Sequence, residues 1–271
     1  MAPSASSGRS VLSPLRVGES VARELRERIL TGEYVDTLPK QEALMADFEV
    51  SAPSIREAFR VLEAEGLIVV RRGNVGGATI RLPSADDTAY QLGLALQAKG
   101  VRVSEVAGAI WHVEPAVARL CAQREDRLAV VVPPLAESID LIQSSINDDG
   151  DRNSWEYKAQ IFHDRMSELC GNGALNAVMG SLYSLYHSHL DEWIATHGSY
   201  ASKQTRAAVI KEHRRILRMI ERGDGTGAAR AAGTHAERLL TPLLNEDEVV
   251  SVTLPRNIRS RRRLASQRAS S

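Results

Sequence analysis

Apolar positions recur at helical spacing along most of the chain. Val21, Leu25 and Ile29 stand four apart and Gly32 ends the run, which predicts a short amphipathic helix closed by glycine. Leu38-Pro39 opens a second helix carrying Ala43, Leu44 and Ala46. Val50-Ser51 marks a turn and an N-cap, and Pro53 suits the first turn of a third helix, where its missing N–H would be unpaired anyway. That helix carries Ile55, Ala58, Phe59 and Leu62 and stops at Gly66. The period then changes. Leu67 to Arg72 and Ala78 to Leu82 are short β-prone runs on either side of Gly73-Asn74-Val75-Gly76-Gly77, the pattern of a hairpin.

Three helices followed by a hairpin is the order of a winged helix-turn-helix, here spanning residues 15–83 with Pro83-Ser84 as linker. From Asp86 to about Glu246 the pattern is helical. Val103 to Gln123, Trp155 to Cys170, Ala174 to His197, Ser202 to Arg222 and Gly227 to Leu244 are its clearest segments. Asp148-Asp149-Gly150, Gly171-Asn172-Gly173 and Gly223-Asp224-Gly225 separate them. Val130 to Val132 is the one short strand-like run, and Pro133-Pro134 should kink or restart its helix. Residues 84–248 therefore read as an all-α bundle with short connections, and the fold class is mainly α. Residues 1–14, rich in Ser, Gly and Pro, read as a disordered arm. Residues 249–271 read as a disordered basic tail, with Arg256, Arg259, Arg261, Arg262, Arg263 and Arg268 and no acid.

Composition narrows the function classes. A chain of 271 residues accommodates two domains. Its 34 basic and 34 acidic side chains cancel, which excludes a bulk nucleic-acid packager but not a local reading surface. Residues 15–82 hold 10 basic and 11 acidic side chains, so DNA affinity there has to come from one face and from dimerisation. Cys121 and Cys170 form no CxxC pair, which argues against a disulfide scaffold or a cysteine zinc cluster. No apolar run is long enough for a membrane span, and the first ten residues lack a secretory apolar core, so the cytoplasm is the expected compartment.

A reading helix enters the major groove by its N-terminal end. Ser51, Ser54 and Arg56 occupy that end, where the helix dipole also favours phosphate. Arg56 can donate a bidentate pair to guanine. Arg71, Arg72 and Gly73 lie at the wing tip. The blander alternative is a small helical domain with a surface hairpin.

The stretch Leu38-Pro39-Lys40-Gln41-Glu42-Ala43-Leu44, then Val50 to Leu67, then Arg71-Arg72-Gly73 resembles the GntR family of bacterial transcription regulators. The helical region resembles the effector domain, FCD, of that family's FadR branch. The resemblance implies a homodimer that binds a palindromic operator on double-stranded DNA under the control of a small-molecule effector. The expected DNA-binding set is Lys40, Ser51, Ser54, Arg56, Arg71, Arg72 and Gly73. Two family positions differ: Gln41-Glu42 stands for Glu-Arg, and Ala52 for Arg, so an unusual operator is expected.

His163, His213 and His235 fall on three separate helical segments, where three imidazoles from facing helices can make one metal site. Lone histidines in a bundle are otherwise surface or core residues. The resemblance implies a divalent metal of the Zn, Ni or Mn class held by these three histidines and an Asp, but that position is Ala159. Beside Val113-Glu114-Pro115, Ile110 stands where family members that bind organic acids carry Arg. The expected effector-binding set is Ile110, Glu114, Ala159, His163, His213 and His235. The two apolar exchanges favour an apolar ligand, acyl- or sterol-like; alternatively Arg119 or Asn176 replaces the lost Arg and the effector is a small organic acid with a divalent metal in the pocket. Trp111, Tyr183, Tyr186 and Trp193 are expected in core or dimer packing, and His187, His189 and His197 as non-ligands. A metal enzyme with a three-histidine site is a remote alternative, since the sequence has no HExxH, GxSxG or P-loop; a helical scaffold is another.

Overall fold

The computed structural model describes residues 14–71, 77–147, 154–197, 202–244 and 249–251. The chain divides into two units between Ser84 and Ala85. The first is α1 (Pro14–Leu30), α2 (Gln41–Phe48), α3 (Ala52–Ala64), β1 (Ile68–Arg71) and β2 (Gly77–Ile80). Its core is the set the apolar spacing selects: Val21, Leu25 and Ile29 of α1, Leu44 of α2, and Ile55, Ala58 and Leu62 of α3, closed by Leu67, Ile68 and Ala78. At Gly18 a Cβ would lie 2.9 Å from Glu57 Cβ, so only glycine lets α1 approach α3 this closely. Gly66, at φ +76°, reverses the chain after α3 in the left-handed region that other residues enter only with strain.

β1 and β2 pair antiparallel from Ile68↔Ile80 to Arg71↔Gly77, slightly shorter than the two predicted runs. A short segment that the sequence pattern did not mark joins them. Leu38 N–H donates to Ala78 O at 2.9 Å, Ile80 N–H donates to Asp36 O at 2.8 Å, and Thr37 bridges Thr79. The wing is thereby hydrogen-bonded to the chain entering α2.

The second unit comprises α4 (Ala85–Ala98), α5 (Val103–Gln123), α6 (Arg127–Val130), α7 (Val132–Ser144), α8 (Ser154–Leu169), α9 (Gly173–His197), α10 (Lys203–Glu221) and α11 (Gly225–Leu244). The strand-like Val130 to Val132 run is the junction of α6 and α7 instead, with Val131 buried. Pro133-Pro134 sits in the first turn of α7, where proline restarts a helix at no hydrogen-bond cost. α5 packs against α8, α9, α10 and α11, with Phe162, Met166, Ile216 and Ile220 among the fully buried side chains around it.

Two arginines fix helix ends that bear on the site. Arg124 Nη1 donates to Leu169 O at the end of α8 (3.4 Å), and Arg127 Nε donates to Glu221 O at the end of α10 (3.3 Å). Each places a cation on the negative end of a helix dipole. The expected disordered tail is corrected at its start. Val249 bridges Arg102, Val250 is buried and donates to Val101 O at 2.8 Å, and Ser251 N–H donates to His189 Nε2. The rest of the tail, and the arm up to residue 13, lie outside the described residues. Among the described residues no helix is long and apolar enough to cross a membrane.

Candidate functional site

The first candidate surface is the N-terminal end of α3. Ser51 is its N-cap and Pro53 lies in its first turn. Arg56 is exposed, and among the described residues it makes no ion pair or hydrogen bond, so its guanidinium is available. Lys40, the N-cap of α2, is exposed too, as is Arg71 at the end of β1. Ser54 does not belong with them. It is only 3% exposed, and its hydroxyl is 3.2 Å from that of Ser51. The helix phase that turns Arg56 outward turns Ser54 against α1, whose Gly18 lies over the Ser54 carbonyl. Arg72 and Gly73 lie outside the described residues.

The second candidate lies within the helical unit. α8, α10 and α11 bring His163, His213 and His235 together, all buried. Their Nε2 atoms form a triangle with sides of 3.2 Å (163–213), 3.1 Å (213–235) and 3.3 Å (163–235). His163 Nδ1 is 2.6 Å from Glu114 Oε1 on α5, and His235 Nδ1 is 2.8 Å from Glu212 Oε2 on α10. Arg238 in turn pairs with Glu212. The His213 ring stacks on Phe162, centroids 4.2 Å apart and planes 10° apart. Its Nδ1 is buried without a hydrogen-bond partner.

This wiring fixes the chemistry. A carboxylate at Nδ1 holds the proton there, so Nε2 of both His163 and His235 presents a lone pair. Three Nε2 atoms then meet with at most one proton among neutral rings, an arrangement that calls for a cation. Burial lowers the pKa of His213 well below its ordinary 6.5, and the two neighbouring imidazoles lower it further. Burial also lowers His235, against the pull of Glu212. Burial opposes charge on His163 as well, but the Glu114 carboxylate reverses this and holds its pKa raised. Glu114 is likewise held below the usual carboxylate range, because His163 outweighs its desolvation. Nitrogen ligands about 2.0–2.1 Å from an ion stand about 3.3–3.4 Å apart in tetrahedral and about 2.8–3.0 Å apart in octahedral geometry. The observed triangle lies within that span, so the donor set fits a divalent metal with three histidine ligands and open positions.

Beside the histidines is a cavity of about 20 Å³, lined by Ile110, Glu114, Gln160, His163, Tyr183, Tyr186 and Ala236. It has room for about one water molecule. The expected acyl- or sterol-like ligand needs several hundred Å³, and this cavity does not provide it. Ile110 and Glu114 line it as expected; Ala159 is buried but is not among its lining residues. Neither Arg119 nor Asn176 lines it in place of a missing cation. Tyr183 and Tyr186, expected as packing residues, form part of its wall, and the buried Tyr183 hydroxyl lacks a hydrogen-bond partner of normal length. Trp111 is packed against the core, while the side chains of Trp193 and His197 lie outside the described residues. His187 and His189 are not in the histidine triangle. Sequence reasoning missed Glu212. Its one signal is that it is an acid inside the otherwise basic stretch Lys211-Glu212-His213-Arg214-Arg215.

Comparison with known proteins agrees with both units. Residues 17–76 match the bacterial regulatory proteins of the gntR family, and residues 110–238 match the FCD domain. The chain is 27% identical over 238 residues to the HTH-type transcriptional repressor NanR of Klebsiella aerogenes, covering 84% of this chain and 85% of that one. It is 27% identical to the HTH-type transcriptional regulator Mce2R of Mycobacterium tuberculosis (84% and 92% covered) and 24% identical to the Exu regulon transcriptional regulator of Escherichia coli (87% and 88%). A solved GntR structure from Streptococcus agalactiae shares the fold at a TM-score of 0.59 and 22% identity, over 82% of this chain and 98% of that one. The chain belongs to the GntR family of bacterial regulatory proteins, joining a winged helix-turn-helix to a helical FCD domain, and it is a ligand-responsive transcription regulator and not an enzyme.

Proposed function

We propose that this regulator binds a palindromic operator as a homodimer and that a small ligand at the histidine centre sets its DNA affinity. The near-neutral balance of the winged unit supports the dimer, because one reading helix with Arg56 and Lys40 supplies few phosphate contacts. The name of the NanR relative supports repression as its mode. The observation that carries the effector reading is the Nε2 triangle backed by Glu114 and Glu212. His163, His213 and His235 would hold a divalent metal, which when bound supplies a Lewis-acidic position for an oxygen donor of the effector. Glu114 and Glu212 orient the rings and hold the Nδ1 protons. Ile110 and Ala236 give the adjoining cavity an apolar wall, and Gln160 and the Tyr183 hydroxyl give it hydrogen-bonding groups. DNA release then follows from the ligand's different affinity for two states of the protein.

The polar groups beside the centre, His163, Gln160 and the Tyr183 hydroxyl, favour the small-acid alternative over the acyl one, and either ligand requires the cavity to open. Calorimetry on protein purified without an affinity tag and loaded with zinc tests this. A small hydroxy- or dicarboxylic acid is expected to bind, and chelator treatment to abolish that binding. Tight binding of a long-chain acyl ligand with none of the small acids would overturn the small-ligand reading.

A further inference from the structure

Helix α10 has two faces of opposite character. His213, Ile216 and Ile220 are buried on one. Lys211, Arg214, Arg215, Arg218 and Arg222 are exposed on the other. At 3.6 residues per turn these five cations fall within about 100° of arc and run for about 16 Å along the helix. Two acids lie in the same stretch: Glu212 pairs with His235 and Arg238, and Glu221 is exposed near its end. Arg214 reaches Gln143 at 3.4 Å. Among the described residues Lys211, Arg215, Arg218 and Arg222 make no ion pair or hydrogen bond. This is not the average surface of the unit, since residues 85–251 carry 17 basic against 23 acidic side chains. Five cations on one helix face repel one another and raise the energy of the free protein, a cost that a polyanion relieves.

We infer that the outer face of α10 is a second duplex-DNA contact, made to backbone phosphates in addition to the site read by α3. The occupant is double-stranded DNA because the chain already carries a DNA-reading unit, and exposed Lys and Arg side chains make sequence-independent phosphate contacts. The contact goes beyond operator reading and needs no metal. It also places phosphate contacts and a histidine of the effector centre on one rigid helix.

The test is the salt dependence of binding to a mixed-sequence duplex of about 40 base pairs, measured by fluorescence anisotropy on the full chain. The triple variant Arg215→Gln/Arg218→Gln/Arg222→Gln keeps helix propensity and removes three exposed charges. It is expected to bind more weakly and to lower the slope of log K against log salt by about 2–3 per protomer, at about 0.9 per phosphate contact. Lys99→Gln/Arg119→Gln, exposed positions outside α10, is expected to leave the slope unchanged. An unchanged slope in the triple variant, or an equal fall per charge in the control, would overturn the inference. So would an unchanged slope on DNA accompanied by lost binding to single-stranded RNA. Failure of the wild-type chain to bind any duplex would instead strike at DNA binding as a whole.

Discussion

Arg56→Ala is expected to abolish specific operator binding while leaving the protein folded. Arg56 is exposed near the start of α3, and among the described residues no carboxylate competes for it. A bidentate arginine–guanine contact discriminates by about 1–3 kcal/mol, and a two-fold symmetric dimer loses it twice. The total, about 2–6 kcal/mol, corresponds to a fall in operator affinity of about 30-fold to 10⁴-fold. Non-specific binding should fall far less, since it depends on phosphate contacts shared over the whole surface. Ser54→Ala is the internal control. Its hydroxyl faces Ser51 inside the unit, so it should change thermal stability slightly and operator preference not at all. Anisotropy titrations of both variants on operator and scrambled duplexes decide the matter. Unchanged operator affinity for Arg56→Ala would show that α3 reads DNA through other residues.

The second large effect is expected at the histidine centre. His213 is the member whose Nε2 lies within 3.2 Å of both other Nε2 atoms. Unlike its two neighbours it has no carboxylate at Nδ1, so its role is not shared with a second hydrogen bond. His213→Ala leaves two ligands, below what a structural or catalytic zinc site uses, and bound metal should fall from about one per chain to near zero. Effector-dependent change in DNA affinity should disappear with it, while effector-free DNA binding persists. His189→Ala removes another buried histidine, whose Nε2 accepts the Ser251 N–H and which lies outside the triangle. It should keep its metal. Elemental analysis of the folded variants separates them, and stoichiometric metal in His213→Ala would remove the three-histidine assignment.

What the sequence revealed and what it hid divide along physical lines. Apolar spacing is a direct record of burial, so Val21, Leu25, Ile29, Ile55 and Leu62 mark the winged unit and its core in the sequence. The three histidines were legible as residue type on separate helices. Their partners were not. Glu114 meets His163 across 49 residues of chain and Glu212 meets His235 across 23, and no local spacing encodes those pairings. Val130 to Val132 misled because β-branched residues favour strands locally, while burial of Val131 at a helix junction overrides that preference. Asp36 to Leu38 gave no strand signal because its two hydrogen bonds exist only once β2 is in place. Ser54 misled for a simpler reason. The end of a helix is two-sided, and N-terminal position alone does not say which side a residue faces.

The proposed function requires sequence-specific DNA binding whose affinity is set at the histidine centre. It is tested most directly by anisotropy titration of the full chain, zinc-loaded and chelator-treated, on the duplex upstream of its own coding region in the presence of competitor DNA. Saturable binding that survives competitor and shifts between the two forms is the predicted result. Binding that competitor removes completely, or identical curves for the two forms, would contradict it.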